Sequence, residues 1–149
     1  MNILFINGSP NRDGNTAALA ARFLQGHTYE TLNLTDYRIN VYGQELPGDQ
    51  FSEVLEKVRA ADFIVIGSPL YWHNICGAVR NLLDRFYGPV EAGSLHGQIA
   101  FLFQGAAPEK WMLEAGEYTM RRFSDLYGLT YLGMVTSVRE ADVLAAKIG

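Results

Sequence analysis

Short unbroken apolar runs alternate along this chain with stretches of helical period, and that alternation predicts nearly all of its elements. Asn2 to Ile6 is an apolar run closed by Gly8 and Pro10, the form of a strand buried on both faces. The period then changes. Ala17, Leu19, Ala20, Phe23 and Leu24 recur at helical spacing from Thr16 until Gly26 stops them. Tyr29 to Leu34 reads as strand two, and Thr35 to Gly48 as an irregular loop rich in turn-formers. Phe51 to Ala60 is helical, with Phe51, Val54, Leu55 and Val58 on one stripe, and Asp62 opens strand three. Val79, Leu82, Leu83 and Phe86 predict a helix over Ile75 to Tyr87, terminated by Gly88-Pro89. Gln98 to Phe103 reads as strand four, and a helix runs from near Pro108 to about Tyr127. Leu129 to Val135 is strand five, followed by a last helix from about Arg139.

Five strands alternating with helices imply an α/β fold: a three-layer, doubly wound parallel sheet covered on both faces. Right-handed crossovers leave few topologies, and the order 2-1-3-4-5 places its switch point between strands one and three. Ligands of such sheets bind beyond the carboxyl ends of the strands at that point. Both strands there end in a distinctive segment. Gly8-Ser9-Pro10-Asn11-Arg12-Asp13-Gly14-Asn15-Thr16 follows strand one, and Gly67-Ser68-Pro69-Leu70-Tyr71-Trp72-His73-Asn74 follows strand three.

The first segment feeds a helix N-terminus, where backbone N–H groups and the helix dipole favour an anion. Ser9 and Thr16 add hydroxyls, Asn11 and Asn15 add amides, Gly14 permits close backbone approach, and Arg12 can add charge or point into water. An ordinary capped turn uses the same residue types, so phosphate binding and a plain turn both fit this segment alone. The Gly-Lys-Ser/Thr ending of an ATP-type phosphate loop and a Gly-x-Gly-x-x-Gly fingerprint are both absent. In the second segment, Tyr71 and Trp72 beyond a buried strand suit a flat ring, or else pack on a neighbouring helix or subunit. Pro69, Leu70, His73 and Asn74 border the same place. His73 can donate to a ligand or sit exposed without a role, and Cys76 near a helix start reads as a buried structural thiol. Gln104, Gly105 and Ala106 after strand four lie beside the crevice and are candidates by position. Asp84 and Arg85 read as a structural ion pair or a subunit contact. Together the two segments describe a phosphorylated flat heterocycle, and FMN is the commonest ligand of that shape in such a fold.

Composition narrows the class. At 149 residues, 48% hydrophobic and 19% charged, the chain suits one compact domain over residues 1–149. A net charge of -4 without any basic stripe disfavours nucleic acid and anionic membranes as partners. The single cysteine excludes an internal disulfide framework and a zinc cluster, which fits a reducing, cytoplasmic setting. No metal ligand set is expected. No apolar run approaches membrane-spanning length.

These residues resemble the flavodoxin-like NAD(P)H-dependent FMN reductases, including their multimeric-flavodoxin and iron-sulfur-flavoprotein branch, nearly end to end. Gly8, Ser9, Pro10, Gly14, Asn15 and Thr16 match that family's first motif, with Asn11 standing where it has Arg and Arg12 one place later. Gly67, Ser68, Pro69, Tyr71, Trp72, Arg80, Asp84 and Arg85 match the second. The resemblance implies that Ser9, Asn11, Asn15 and Thr16 hold the FMN phosphate and that Pro69 to Asn74 border the isoalloxazine. It also implies a homodimer or homotetramer, with NADH or NADPH as co-substrate and a quinone, flavin or nitro-aromatic as the small-molecule electron acceptor. No catalytic acid or base is needed for hydride transfer. The rival reading is a non-enzymatic electron carrier between protein partners. A phosphosignal receiver or cysteine phosphatase fails, since strand three ends without Asp and no Arg lies six residues after Cys76.

Overall fold

The computed structural model describes all of residues 1–149. In chain order its elements are β1 (Ile3–Asn7), α1 (Asn15–Phe23), β2 (Glu30–Asn33), α2 (Phe51–Ala60), β3 (Phe63–Tyr71), β4 (Asn74–Ile75), α3 (Gly77–Asp84), β5 (Gln98–Gln104), α4 (Lys110–Tyr127), β6 (Thr130–Val135) and α5 (Val138–Ala145). The long strands are all parallel, in the spatial order β2-β1-β3-β5-β6, and the two-residue β4 folds back antiparallel on β3. Counted over the long strands, this is the expected 2-1-3-4-5.

Strand alternation sends side chains to two cores. Leu4, Ile6, Ile64, Ile66, Ile99, Phe101 and Phe103 pack under α2, α3 and α4. Ile3, Phe5, Phe63, Val65, Ala100 and Leu102 pack under α1 and α5. The central strands are therefore apolar at successive positions, which is why they appear in the sequence as unbroken runs. Helix α4 settles on β5 through Gly116, where an added Cβ would lie 2.3 Å from the Phe103 ring. No helix is long and apolar enough to cross a membrane.

Two elements differ from their sequence reading. The segment after strand three is mostly strand: β3 continues through Gly67, Ser68 and Pro69 because β5 keeps pairing with it as far as the Pro69–Gln104 rung. The helix expected over Ile75 to Tyr87 is regular only over Gly77–Asp84. Its start is lost because Asn74 and Ile75 pair with Tyr71 and Leu70. Its end tightens into turns such as Phe86 N–H to Leu83 O (3.1 Å).

Arg85 explains how the irregular stretch after β2 is held. Its guanidinium donates to both Asp49 carboxylate oxygens, at 2.9 and 2.7 Å, and to the Asn40 carbonyl at 2.9 Å. Asn81 ties Ile39 to the same helix, and the Asn40 N–H donates to Asp49. So Arg85 is a structural residue, but its partner is Asp49. Asp84 instead lies 3.7 Å from Arg80. The Arg85 hydrogen bonds, aided by Asn40, hold the Asp49 carboxyl down at about 2.

The carboxyl ends of β1 and β3 approach closely because both carry glycine. Gly8 N–H donates to Gly67 O at 2.8 Å, and a Cβ on Gly8 would stand 2.3 Å from Val79 Cγ2. A Cβ on Gly67 would stand 2.6 Å from Thr16 Cγ2.

Gly8→Ala is expected to destabilise the fold by about 2–3 kcal/mol, as overpacking against Val79 and backbone does, checked by urea unfolding. Asp49 ionises more readily folded than unfolded, so its contribution is complete above about pH 4 and is lost as pH falls toward its folded value near 2. Asp49→Asn should therefore cost about 1–2 kcal/mol at pH 7, discounted for partial exposure, and little at pH 2.

Candidate functional site

Asn7 closes β1 with a buried amide that ties the ends of β1 and β2 to the segment that follows. Its Nδ2 donates to Asn33 Oδ1 on β2 (3.1 Å), and its Oδ1 accepts from the Ser9 N–H (3.1 Å). Ser9 is itself buried, and its Oγ accepts from the Asn11 N–H at 3.1 Å. The chain then enters α1 at Gly14, which supplies no side-chain cap. The first helical hydrogen bond is Ala18 N–H to Gly14 O (3.0 Å), so the amides of Asn15, Thr16 and Ala17 stay open, as helix geometry requires of a first turn. Buried Thr16 accepts from Gln104 Nε2 at 3.2 Å.

This donor set has one sign. The hydroxyls of Ser9 and Thr16 each already accept a bond from the protein, which leaves their protons to donate. Together with the open amides they form a pocket of donors at the positive end of a helix, matched to an acceptor-only anion such as a phosphate. Asn11 and Asn15 sit at its rim, and Gly14 is packed on Asn11, where a Cβ would fall 2.9 Å from Asn11 Cβ. Arg12 is engaged elsewhere, with its Nη1 2.5 Å from Asp36 Oδ1 on the exposed surface.

β1 leaves β3 after the Asn7–Gly67 rung, while β5 stays with it to Pro69–Gln104. A crevice opens between the parting strands, and the β3–β4 hairpin rises beside it. Leu70 pairs with Ile75 and Tyr71 with Asn74, so Trp72 and His73 are the two turn residues. Their φ angles are +51° and +66°. A two-residue hairpin with both centres left-handed suits Asn-Gly, and two bulky residues there cost of order 1–2 kcal/mol each. Tyr71 is 46% exposed and Trp72 95% exposed, so neither is spent on the core. His73 tilts against Trp111 of α4, ring centroids 5.8 Å apart. Asn74 Oδ1 accepts from the Ile75 N–H (2.8 Å). Gly105 seats on the hairpin base, its Cβ position 3.0 Å from Leu70 Cβ, and Ala106 is exposed beside it.

The structure thus gathers Ser9, Asn11, Gly14, Asn15 and Thr16 on one side of the crevice, and Gln104 at the end of β5 reaches across to Thr16. Pro69 to Asn74 stand on the other with Gly105 and Ala106. Cys76 is buried beneath them, its Sγ 3.5 Å from the Gly8 carbonyl, and Ser68 Oγ accepts the Cys76 N–H at 3.0 Å. It is a packing residue. Two contributors escaped the sequence reading. Asn7 left one signal, a polar residue ending an apolar run, and Trp111 left none beyond being a tryptophan near a helix start.

A separate groove lies elsewhere. A cleft of about 320 Å3 runs between later turns of α3 and α4, lined by Arg80, Leu83, Tyr87, Arg122, Phe123 and Leu126 among others. It contains none of the residues that the switch point gathers.

Residues 1–141 match the model of the family described as NADPH-dependent FMN reductase. The chain is 40% identical over 98 residues to an iron-sulfur flavoprotein of Archaeoglobus fulgidus, covering 57% of this chain and 48% of that one. It is 28% identical over 94 residues to a putative NAD(P)H-dependent FMN-containing oxidoreductase of Bacillus subtilis, covering 58% of this chain and 52% of that protein. The chain spans about half the length of the curated relatives it matches. Its single cysteine cannot supply the four thiolates that usually hold an iron–sulfur cluster. Among solved structures, the Trp repressor binding protein of Bacillus subtilis superposes with a TM-score of 0.79 at 17% identity, covering 99% of this chain and 98% of that one. An FMN-dependent NADH-azoreductase of Bacillus anthracis, solved with FMN, superposes at 0.68 and 18% identity, covering 99% and 95%. With the strand order, the paired switch-point segments and a family match over most of its length, this chain belongs to the NADPH-dependent FMN reductase family.

Proposed function

We propose that this chain binds FMN in the switch-point crevice and carries electrons from NADH or NADPH through it to a small-molecule acceptor. The observation that supports this most is the donor set at the start of α1: two buried hydroxyls held as donors beside three open helix amides. Ser9, Thr16 and the amides of Asn15 to Ala17 would hold the phosphate, with Asn11 and Asn15 closing over it. Tyr71 and Trp72 would cover the ring, and backbone groups of Pro69 to Asn74 and Gln104 to Ala106 would meet its polar edge.

Bound FMN supplies hydride acceptance and release, chemistry that no side chain of this chain offers. The residues contribute position and electrostatics. The hairpin holds aromatic surface over one side of the crevice, and the N-terminal end of α1 stabilises negative charge at its far end. For a quinone the balance is simple: the nicotinamide loses a hydride, and the quinone gains that electron pair with two protons, one carried by the hydride and one drawn from solvent. No protein group has to change protonation state.

Oligomerisation is part of the reading. Tyr87, Tyr118 and Leu126 are large apolar side chains left exposed on the side of the molecule that carries the α3–α4 groove, and a second copy of the chain would cover them. A homodimer through this surface is the simplest closed assembly.

Purified protein, or protein soaked with FMN and desalted, should absorb in the blue and oxidise NADH or NADPH in the presence of a quinone. Colourless protein after soaking would contradict the reading. Thr16→Val should weaken FMN binding about tenfold, the worth of one hydrogen bond to a charged group, read by fluorescence titration. Leu126→Glu should convert the dimer to monomer in sedimentation velocity at micromolar concentration.

A further inference from the structure

Trp111 is an exposed tryptophan that the fold nonetheless pins. It stands in the first turn of α4, directly after the segment from Gln104 that borders the crevice, and 55% of its surface is open. Its Nε1–H donates to Glu109 Oε2 at 2.7 Å, which fixes the indole edge. The His73 ring tilts against it at 47° from the turn of the β3–β4 hairpin. Both attachments are local to the rim, and neither draws the ring into the core. His73 reaches Trp111 from a backbone position at φ +66° that glycine or asparagine would adopt at lower cost. Strain of this kind persists where a side chain is needed at that place. A tryptophan with its polar handle satisfied and one edge buttressed is a rigid flat surface with little left to lose on binding.

We propose that Trp111 is the acceptor-side wall of the crevice and selects a planar aromatic acceptor without acid groups, of the quinone class, with His73 as the residue that positions it. This rests on the reading that FMN occupies the crevice. The bound ring would lie against the phosphate-loop side and Tyr71-Trp72, while the acceptor would stack between that ring and the open face of the Trp111 indole. Charge sets the second half of the specificity. Glu109, at the indole edge, has no Lys or Arg within ion-pair distance, and the one arginine of the segment after β1, Arg12, is taken by Asp36. An acceptor bearing a sulfonate or carboxylate meets the negative charge of Glu109 at this wall.

The test uses FMN-loaded protein and two acceptors, 1,4-naphthoquinone and its 2-sulfonate, with ferricyanide as a ringless reference. Trp111→Ala should lower kcat/KM for the naphthoquinone about tenfold relative to ferricyanide, chiefly through KM, and Trp111→Phe should restore most of it. Glu109→Gln, which keeps an oxygen to accept the indole N–H, should narrow the preference for the uncharged quinone over the sulfonate severalfold. A readout without turnover accompanies these. The chain has two tryptophans, and naphthoquinone added without nicotinamide should quench their emission saturably in the loaded wild type and by less than half as much in Trp111→Phe. Equal losses toward naphthoquinone and ferricyanide in Trp111→Ala, or unchanged quenching in Trp111→Phe, would overturn the wall. Wild-type protein that takes up no flavin would end the underlying reading as well, and that failure shows in the absorption spectrum before any acceptor is added.

Discussion

The structure depends on how closely the carboxyl ends of β1 and β3 approach one another. Gly8 and Gly67 meet backbone to backbone at 2.8 Å, with Val79 on one side and Thr16 and Phe5 on the other at distances that admit no Cβ. This contact makes the switch point a narrow crevice rather than a splayed gap. It sets the first turn of α1 beside the end of β5, close enough for Gln104 to donate to Thr16. It also lets buried Asn7 reach both Asn33 and the Ser9 N–H, which ties the segment after β1 to the strand end. The donor set is preorganised by packing, and a ligand would not have to order it.

Across the crevice the balance runs the other way. The β3–β4 hairpin places tryptophan and histidine at two left-handed positions and leaves Tyr71 nearly half and Trp72 almost wholly in solvent. Local preference, turn chemistry and burial all argue against that choice of residues. Rigid donors on one side and strained, uncovered aromatics on the other support the proposal of a cleft for a phosphorylated ring system.

Much of this was legible in the chain. Buried parallel strands read as unbroken apolar runs because both faces are covered, and Ile3 to Ile6, Phe63 to Ile66 and Gln98 to Phe103 were placed by that fact alone. The order 2-1-3-4-5 followed from alternation and handedness. The extent of β3 was not legible, because Gly67 and Pro69 are loop-formers locally, and only the pairing with β5 keeps them extended. The hairpin was hidden for a related reason: Trp72-His73 carries no turn signal, and no local rule assigns positive φ to that pair. Asp84 and Arg85 read as a structural ion pair or a subunit contact, yet the partner of Arg85 is Asp49, 36 residues away across an irregular loop, a distance over which sequence pattern says nothing. Trp111 became visible only when the hairpin and α4 were brought together in space.

The central claim is that the start of α1 grips a phosphate and the hairpin covers the ring attached to it. The most direct measurement is the affinity of flavin-free protein for FMN against riboflavin, which carries the same ring without the phosphate. The account predicts FMN tighter by about a hundredfold or more, the worth of at least one to two charge-assisted hydrogen bonds. Equal affinity for the two, or binding of neither, would contradict it.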